Sequence, residues 1–212
     1  LRLTLGGRYS SEKKRGKQRT IYVTFSDLHP IQPNNAYYEP YYDQEEFSWK
    51  LNATYNMSDD TMMYATVSST FKSGGFNPIS DNSPLLTPAF GGSPANAYFD
   101  PEFIDGYEFG IKSSLLGGSM KINAAAFYYD YQDMQQSQIV NVTSKNVNSD
   151  AEITGIELDL LWAMTPNLVF SFTGGWLDTE IGDFLSVDTA NPNASKVFWV
   201  VRCCLLVNIF IN

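Results

Sequence analysis

The chain has no run of eighteen or more apolar residues, so a conventional transmembrane helix is excluded. That criterion is silent on β-barrels, which cross a membrane with strands. Histidine is nearly absent: His29, in Asp27-Leu28-His29-Pro30, is the sole one. A hydrolytic histidine needs a nucleophile and an acidic partner, and a zinc site needs three or four ligands, so His29 reads as a surface loop residue. Cysteine is confined to the adjacent pair Cys203-Cys204, a spacing that rarely gives a useful crosslink and leaves the compartment open. Positive charge is in deficit, 14 Lys and Arg against 23 Asp and Glu. The net charge of -9 argues against a nucleic-acid partner and fits an acidic surface able to meet divalent cations. Gly74-Gly75-Phe76-Asn77 follows a strand-like run and leads toward prolines, not into a helix, so it is no phosphate cradle; no cofactor is expected. A leader is also missing. The chain begins at Leu1 and reads as a piece of something longer, with any targeting segment upstream.

Aromatic residues, by contrast, are in excess: 13 Tyr and 14 Phe make more than a globular core of this size needs. Their placement follows the stretch 47–78, FSWKLNATYNMSDDTMMYATVSSTFKSGGFNP. Phe47, Trp49, Leu51, Ala53, Tyr55 and Met57 share one parity, and Ser48, Lys50, Asn52, Thr54 and Asn56 the other. After Ser58-Asp59-Asp60, Met63, Ala65, Val67, Ser69 and Phe71 oppose Tyr64, Thr66, Ser68, Thr70 and Lys72. Strand side chains alternate between faces, so this is a hairpin of two half-apolar strands of about ten residues each.

The same pattern recurs along the chain. Leu1, Leu3, Leu5, Gly7 and Tyr9 alternate with Arg2, Thr4, Gly6, Arg8 and Ser10. The charged 10–18 either extends that strand or opens a loop, and a short strand is expected near Ile21–Phe25. Asp105, Tyr107, Phe109 and Ile111 oppose Gly106, Glu108, Gly110 and Lys112. After the turn at Leu116-Gly117-Gly118-Ser119, Ala125, Phe127, Tyr129 and Tyr131 are assigned outward. Ile156, Leu158, Leu160 and Trp162 oppose Glu157 and Asp159, and a last strand runs through Phe170, Phe172 and Trp176. About seven strands result, joined alternately by short turns and by long polar loops, the third loop spanning 135–150. Outer-membrane barrels have this asymmetry. Lys50, Lys72, Glu108, Lys112, Asp130, Glu157 and Asp159 all fall on the face assigned to the lumen. Aromatics gather toward the long-loop ends, with Tyr55 and Trp162 at the short-turn ends, as two interfacial girdles would require. A soluble sandwich also alternates, but it has no reason to keep aromatic bands at strand ends.

Phe71-Lys72-Ser73-Gly74-Gly75-Phe76-Asn77 after an alternating strand resembles the barrel of TonB-dependent receptors, outer-membrane active transporters of Gram-negative bacteria. LTLGGRYSSEKK (3–14), YEFGIKSSLLGGSMKINAAAFYYDYQDMQ (107–135) and ITGIELDLLWAMTPNLVFSFTGGW (153–176) resemble it too. The resemblance implies an all-β fold, an antiparallel transmembrane barrel of 22 strands of which seven are here, its lumen filled by a plug. It implies energised uptake of a scarce nutrient such as a ferric siderophore, cobalamin or glycan. The partners implied are outer-membrane lipid, an extracellular small-molecule or metal-chelate ligand, and the TonB complex acting through the plug. Residues 1–182 read as the barrel segment and 183–212 as an outer loop plus an atypical apolar tail. That tail, 196–212, lacks alternation and the terminal aromatic of resembling barrels, and reads as a shifted frame or a truncation. Tyr37, Tyr38, Tyr41 and Tyr42, among Glu39, Asp43, Glu45 and Glu46, form an aromatic-acidic cluster. It is either a ligand-capture surface or the girdle end of an extended strand. A passive porin or adhesin-like barrel shares this physics, and an outer-membrane enzyme would need a clustered nucleophile and base that the chain does not display.

Overall fold

The computed structural model describes residues 1–17, 22–23, 30–31, 39–77, 97–140, 143–183, 185–187, 195–197 and 204–211. His29, Tyr37, Tyr38 and Cys203 lie outside them. Seven long strands follow the alternating runs: β1 (Arg2–Arg15), β2 (Tyr41–Asn56), β3 (Thr61–Lys72), β4 (Glu102–Leu115), β5 (Met120–Val140), β6 (Thr143–Thr165) and β7 (Leu168–Ile181). An eighth, β8 (Cys204–Ile211), lies in the apolar tail and pairs antiparallel with β7. Periodicity could not find it, because the tail is apolar on both parities. Each strand is hydrogen-bonded to its neighbour in sequence, and β1 and β8 do not pair with each other. The sheet is an open meander.

The short turns lie at one end. Met57 N–H and Ser58 N–H both donate to the Thr61 carbonyl, and Leu116–Gly118 make a single 3₁₀ turn with Gly117 at φ 64°. The long connections at the other end carry small antiparallel pairs, Tyr22–Val23 with Pro30–Ile31, Gly75–Phe76 with Tyr98–Phe99, and Leu185–Val187 with Ser195–Val197. The expectation of a loop at 135–150 fails. β5 and β6 continue as a two-stranded ribbon, with Val147 opposite Gln136 and Thr143 opposite Val140. Gln, Ser and Asn occupy both faces there, so the ladder persists where no apolar face reveals it. Opposite Asp150, β5 carries an extra residue, with Asp133 at φ 54°, which bends the ribbon at its base.

Register decides facing, since residues directly opposite share a face. Leu3, Leu5, Leu51, Ala53, Val67, Phe109, Ile156 and Leu158 form one continuous apolar face, with Phe109 50% and Ile156 52% exposed. Large apolar side chains with half their area uncovered need a non-aqueous neighbour. The facing of β5 needs correction. Tyr128 lies opposite Tyr107, and Ala126 opposite Phe109, so these face outward. Phe127 and Tyr129 lie opposite Glu108 and Gly106 and face the polar side, as does Tyr131, two residues further on. The reason is space on that side: a Cβ at Gly155 would collide with the Phe127 ring, one at Gly106 with the Tyr129 ring and one at Gly110 with the Tyr64 ring. Three rings therefore sit over glycines on the polar wall.

Asp130 changes face with the others. It stands between Asp105 and Glu152, and Glu152 stands opposite Glu180. Four carboxylates on four adjacent strands thus border the apolar band on the outer face. Like charges directly opposite cost stability. Glu152→Gln is expected to stabilise the folded protein in detergent by roughly 0.2–1 kcal/mol per relieved pair, read as a higher thermal midpoint. The gain should shrink as salt shortens the screening length, and a fall in midpoint would refute the repulsion.

Candidate functional site

At the long-connection end the strands outrun the apolar band, and the polar face opens into a cleft of about 520 Å³. Arg8, Ser10, Glu12 and Lys14 of β1, Thr70 and Lys72 of β3, Ser73, Phe99 and Gln135 line it. Alternation from Arg2 onward places Arg8, Glu12 and Lys14 on one face; the same count on β3 brings Lys72 to that side. Lys14 Nζ donates to Ser73 Oγ at 2.9 Å and to the Gly74 carbonyl at 2.7 Å. It also lies 3.5 Å from Glu12 and 5.8 Å from the centre of the Tyr42 ring. Lys72 approaches the buried Glu102 at 3.8 Å. Arg8 has no carboxylate in ion-pair range among the described residues.

Charge is divided along the polar wall below this mouth. Arg2 and Lys50 stand on β1 and β2, whereas Glu108, Glu157 and Asp159 stand on β4 and β6 with Lys112 among them. Tyr64 donates to Glu108 Oε1 at 2.5 Å, which fixes its ring over Gly110. No group of three metal-ligating side chains occurs among the described residues.

Of the four tyrosines expected to act together, Tyr37 and Tyr38 lie outside the described residues, and the other two do not share a face. Tyr41 and Tyr42 are both in β2, and consecutive strand residues face opposite ways. Tyr41 is on the outer face, where it donates to Asp43 at 2.9 Å and carries Arg15 over its ring. Tyr42 faces the cleft, donating to Gln44 Oε1 at 2.7 Å. Burial raises the Tyr42 phenol above its ordinary value, opposed by the Gly74 backbone and assisted by Asp100, Glu46 and Glu12. It stays a neutral donor at physiological pH. Extending β2 back by parity from Phe47 would have separated Tyr41 from Tyr42 without a structure.

Ser73, Gly74 and Asn77 sit beside this cleft, and sequence reasoning gave them no place in a site. Each is buried, and Asn77 is only 2% exposed.

An open antiparallel meander with one lipid-like face, aromatic borders and a charged opposite face is part of the wall of a transmembrane β-barrel. Residues 1–198 match the family model described as TonB dependent receptor-like, beta-barrel, and the chain belongs to that family. No curated protein matches the chain in sequence. Solved structures do. The ferric yersiniabactin uptake receptor FyuA of Yersinia pestis superposes with a TM-score of 0.61 at 21% identity, over 85% of this chain and 24% of the receptor. The siderophore receptor PiuA of Acinetobacter baumannii gives 0.57 at 18%, over 92% and 25%. The ferric-catecholate import receptor Fiu of Escherichia coli K12 gives 0.56 at 16%, over 97% and 29%. The chain spans about a quarter of each, and at these identities the likeness establishes the fold.

Proposed function

We propose that this chain is barrel wall of an outer-membrane uptake receptor of a Gram-negative bacterium, with 1–182 as the wall proper and 183–212 as outer loop and apolar tail. The observation that carries the reading is the cleft at the outer mouth, where Arg8, Lys14 and Lys72 converge in a chain of net charge -9. Cations gathered against the overall charge suit capture of an anionic chelate from outside. By their titles two of the receptors above take up ferric yersiniabactin and ferric catecholate and the third is a siderophore receptor, which supports a ferric siderophore ahead of cobalamin or a glycan. Passage is driven by TonB acting through a plug in the lumen, and the wall contributes binding and guidance without chemistry.

The test uses the complete receptor in cells supplied with radiolabelled ferric catecholate. Uptake should stop when the proton-motive force is collapsed; uptake that persists would make the barrel a passive porin. Tyr37, Tyr38, Tyr41 and Tyr42 are proposed as outer contacts. Stacking contacts are worth about 0.5–1.5 kcal/mol each, so replacing all four by Ala should weaken binding tenfold or more. Because Tyr42 alone of the two described tyrosines faces the cleft, Tyr42→Ala should account for more of the loss than Tyr41→Ala. Equal effects would remove the cleft from the binding surface.

A further inference from the structure

We propose that Asn77 and Gln135 are positioning residues, and that the turn Ser73–Asn77 is a clasp holding the β5–β6 ribbon in place over the mouth. Beyond its bulge the ribbon has no lateral partner in the main sheet among the described residues. β4 pairs with β5 only up to Gln132, and β7 with β6 only up to Ala151. A two-stranded ribbon is marginal by itself in water. The clasp supplies what flanking strands do not.

Its bonds are reciprocal and specific. Asn77 Nδ2 donates to the Asn146 carbonyl at 3.1 Å, while Asn146 N–H donates to Asn77 Oδ1 at 2.6 Å. One carboxamide thereby satisfies both backbone groups of a strand residue, as a neighbouring strand would. Asn77 N–H donates in turn to the Ala97 carbonyl at 2.6 Å, anchoring the turn. Gln135 holds the ribbon's base: its Nε2 donates to the carbonyls of Ser73 at 3.0 Å and Asp100 at 3.2 Å, and its N–H donates to Glu102 Oε2 at 2.8 Å. Lys14 ties the same turn to the cleft wall through Ser73 and Gly74. The clasp is almost wholly polar and sits where the ribbon already bends. Losing one partner leaves a backbone group unsatisfied without emptying a core. Such a contact fixes the pose of the ribbon more than it holds the strands of the wall together.

The assignment of ligand traffic to the mouth rests on the uptake reading; the clasp does not. In the complete receptor in detergent, Asn77→Ala and Gln135→Ala should each speed amide hydrogen exchange across 134–149 by tenfold or more. Exchange across 103–112 and 154–162 should stay unchanged. Asn77→Asp keeps the acceptor for Asn146 N–H but not the donor, and should fall between. In cells, both alanine variants should raise the apparent KM for radiolabelled ferric catecholate several-fold with maximal uptake retained. Unchanged exchange in the ribbon would overturn the clasp, and faster exchange throughout the barrel would reduce the two residues to general stability. Faster ribbon exchange with unaltered KM would overturn the positioning role. If the receptor transports no ferric catecholate, the uptake reading loses its iron substrate while the exchange result still decides the clasp.

Discussion

Leu158→Arg, introduced into the complete receptor, is expected to lower the yield of folded barrel severely, while Asp159→Asn leaves it near wild type. Leu158 lies on the outer apolar face between Ala124 and Gly174, and Asp159 faces the other way between Asn123 and Thr173. Arginine near the midplane of a barrel's lipid face costs roughly 2–4 kcal/mol, a large fraction of a typical folding free energy. Loss of a lumen carboxylate among Glu157, Asn123 and Lys112 removes little, since that face stays solvated. Heat-resistant mobility on a gel measures folded barrel directly. Equal yields would mean that the two faces have been exchanged.

The second large effect concerns the glycines under the lumen-side rings. Gly155→Val drives its Cβ into the tip of the Phe127 ring, which must shift. Overfilling a packed position costs typically about 1–3 kcal/mol. If Phe127 faced lipid, as the sequence suggested, the same change would be neutral or favourable, because valine suits a strand better than glycine. The two facings thus predict opposite signs. Phe127→Ala should rescue Gly155→Val in part, giving a coupling of roughly 0.5–3 kcal/mol in a double-mutant cycle followed by denaturant unfolding. Additive losses would exclude the contact.

Most of the wall was legible because lipid on one side and water on the other impose period-two alternation, as in Phe47–Met57 and Ile156–Trp162. β5 was not legible. Its run Ala124-Ala125-Ala126-Phe127-Tyr128-Tyr129 carries comparable apolar matter on both parities, and the choice between them lies in Gly106 and Gly155 on neighbouring strands. The ribbon at 135–150 was missed for the complementary reason, polar residues on both faces. The basic cleft is spread over β1, β3 and the turn after it, so only strand order assembles it. The clasp is harder still, because Asn77 and Asn146 are ordinary polar residues until register brings them together.

The meander has a temporal consequence. Ladder partners in β1 to β7 come from strands adjacent in sequence, so each pairing closes a comparatively short loop and can form as soon as its two strands are present. The clasp bonds join residues far apart, 69 positions for Asn77 to Asn146, 62 for Gln135 to Ser73 and 59 for Lys14 to Ser73. They gain nothing until the intervening strands have registered. Wall comes first and mouth last, so a nascent barrel is built with its entrance slack and tightens it only after the strands between are complete.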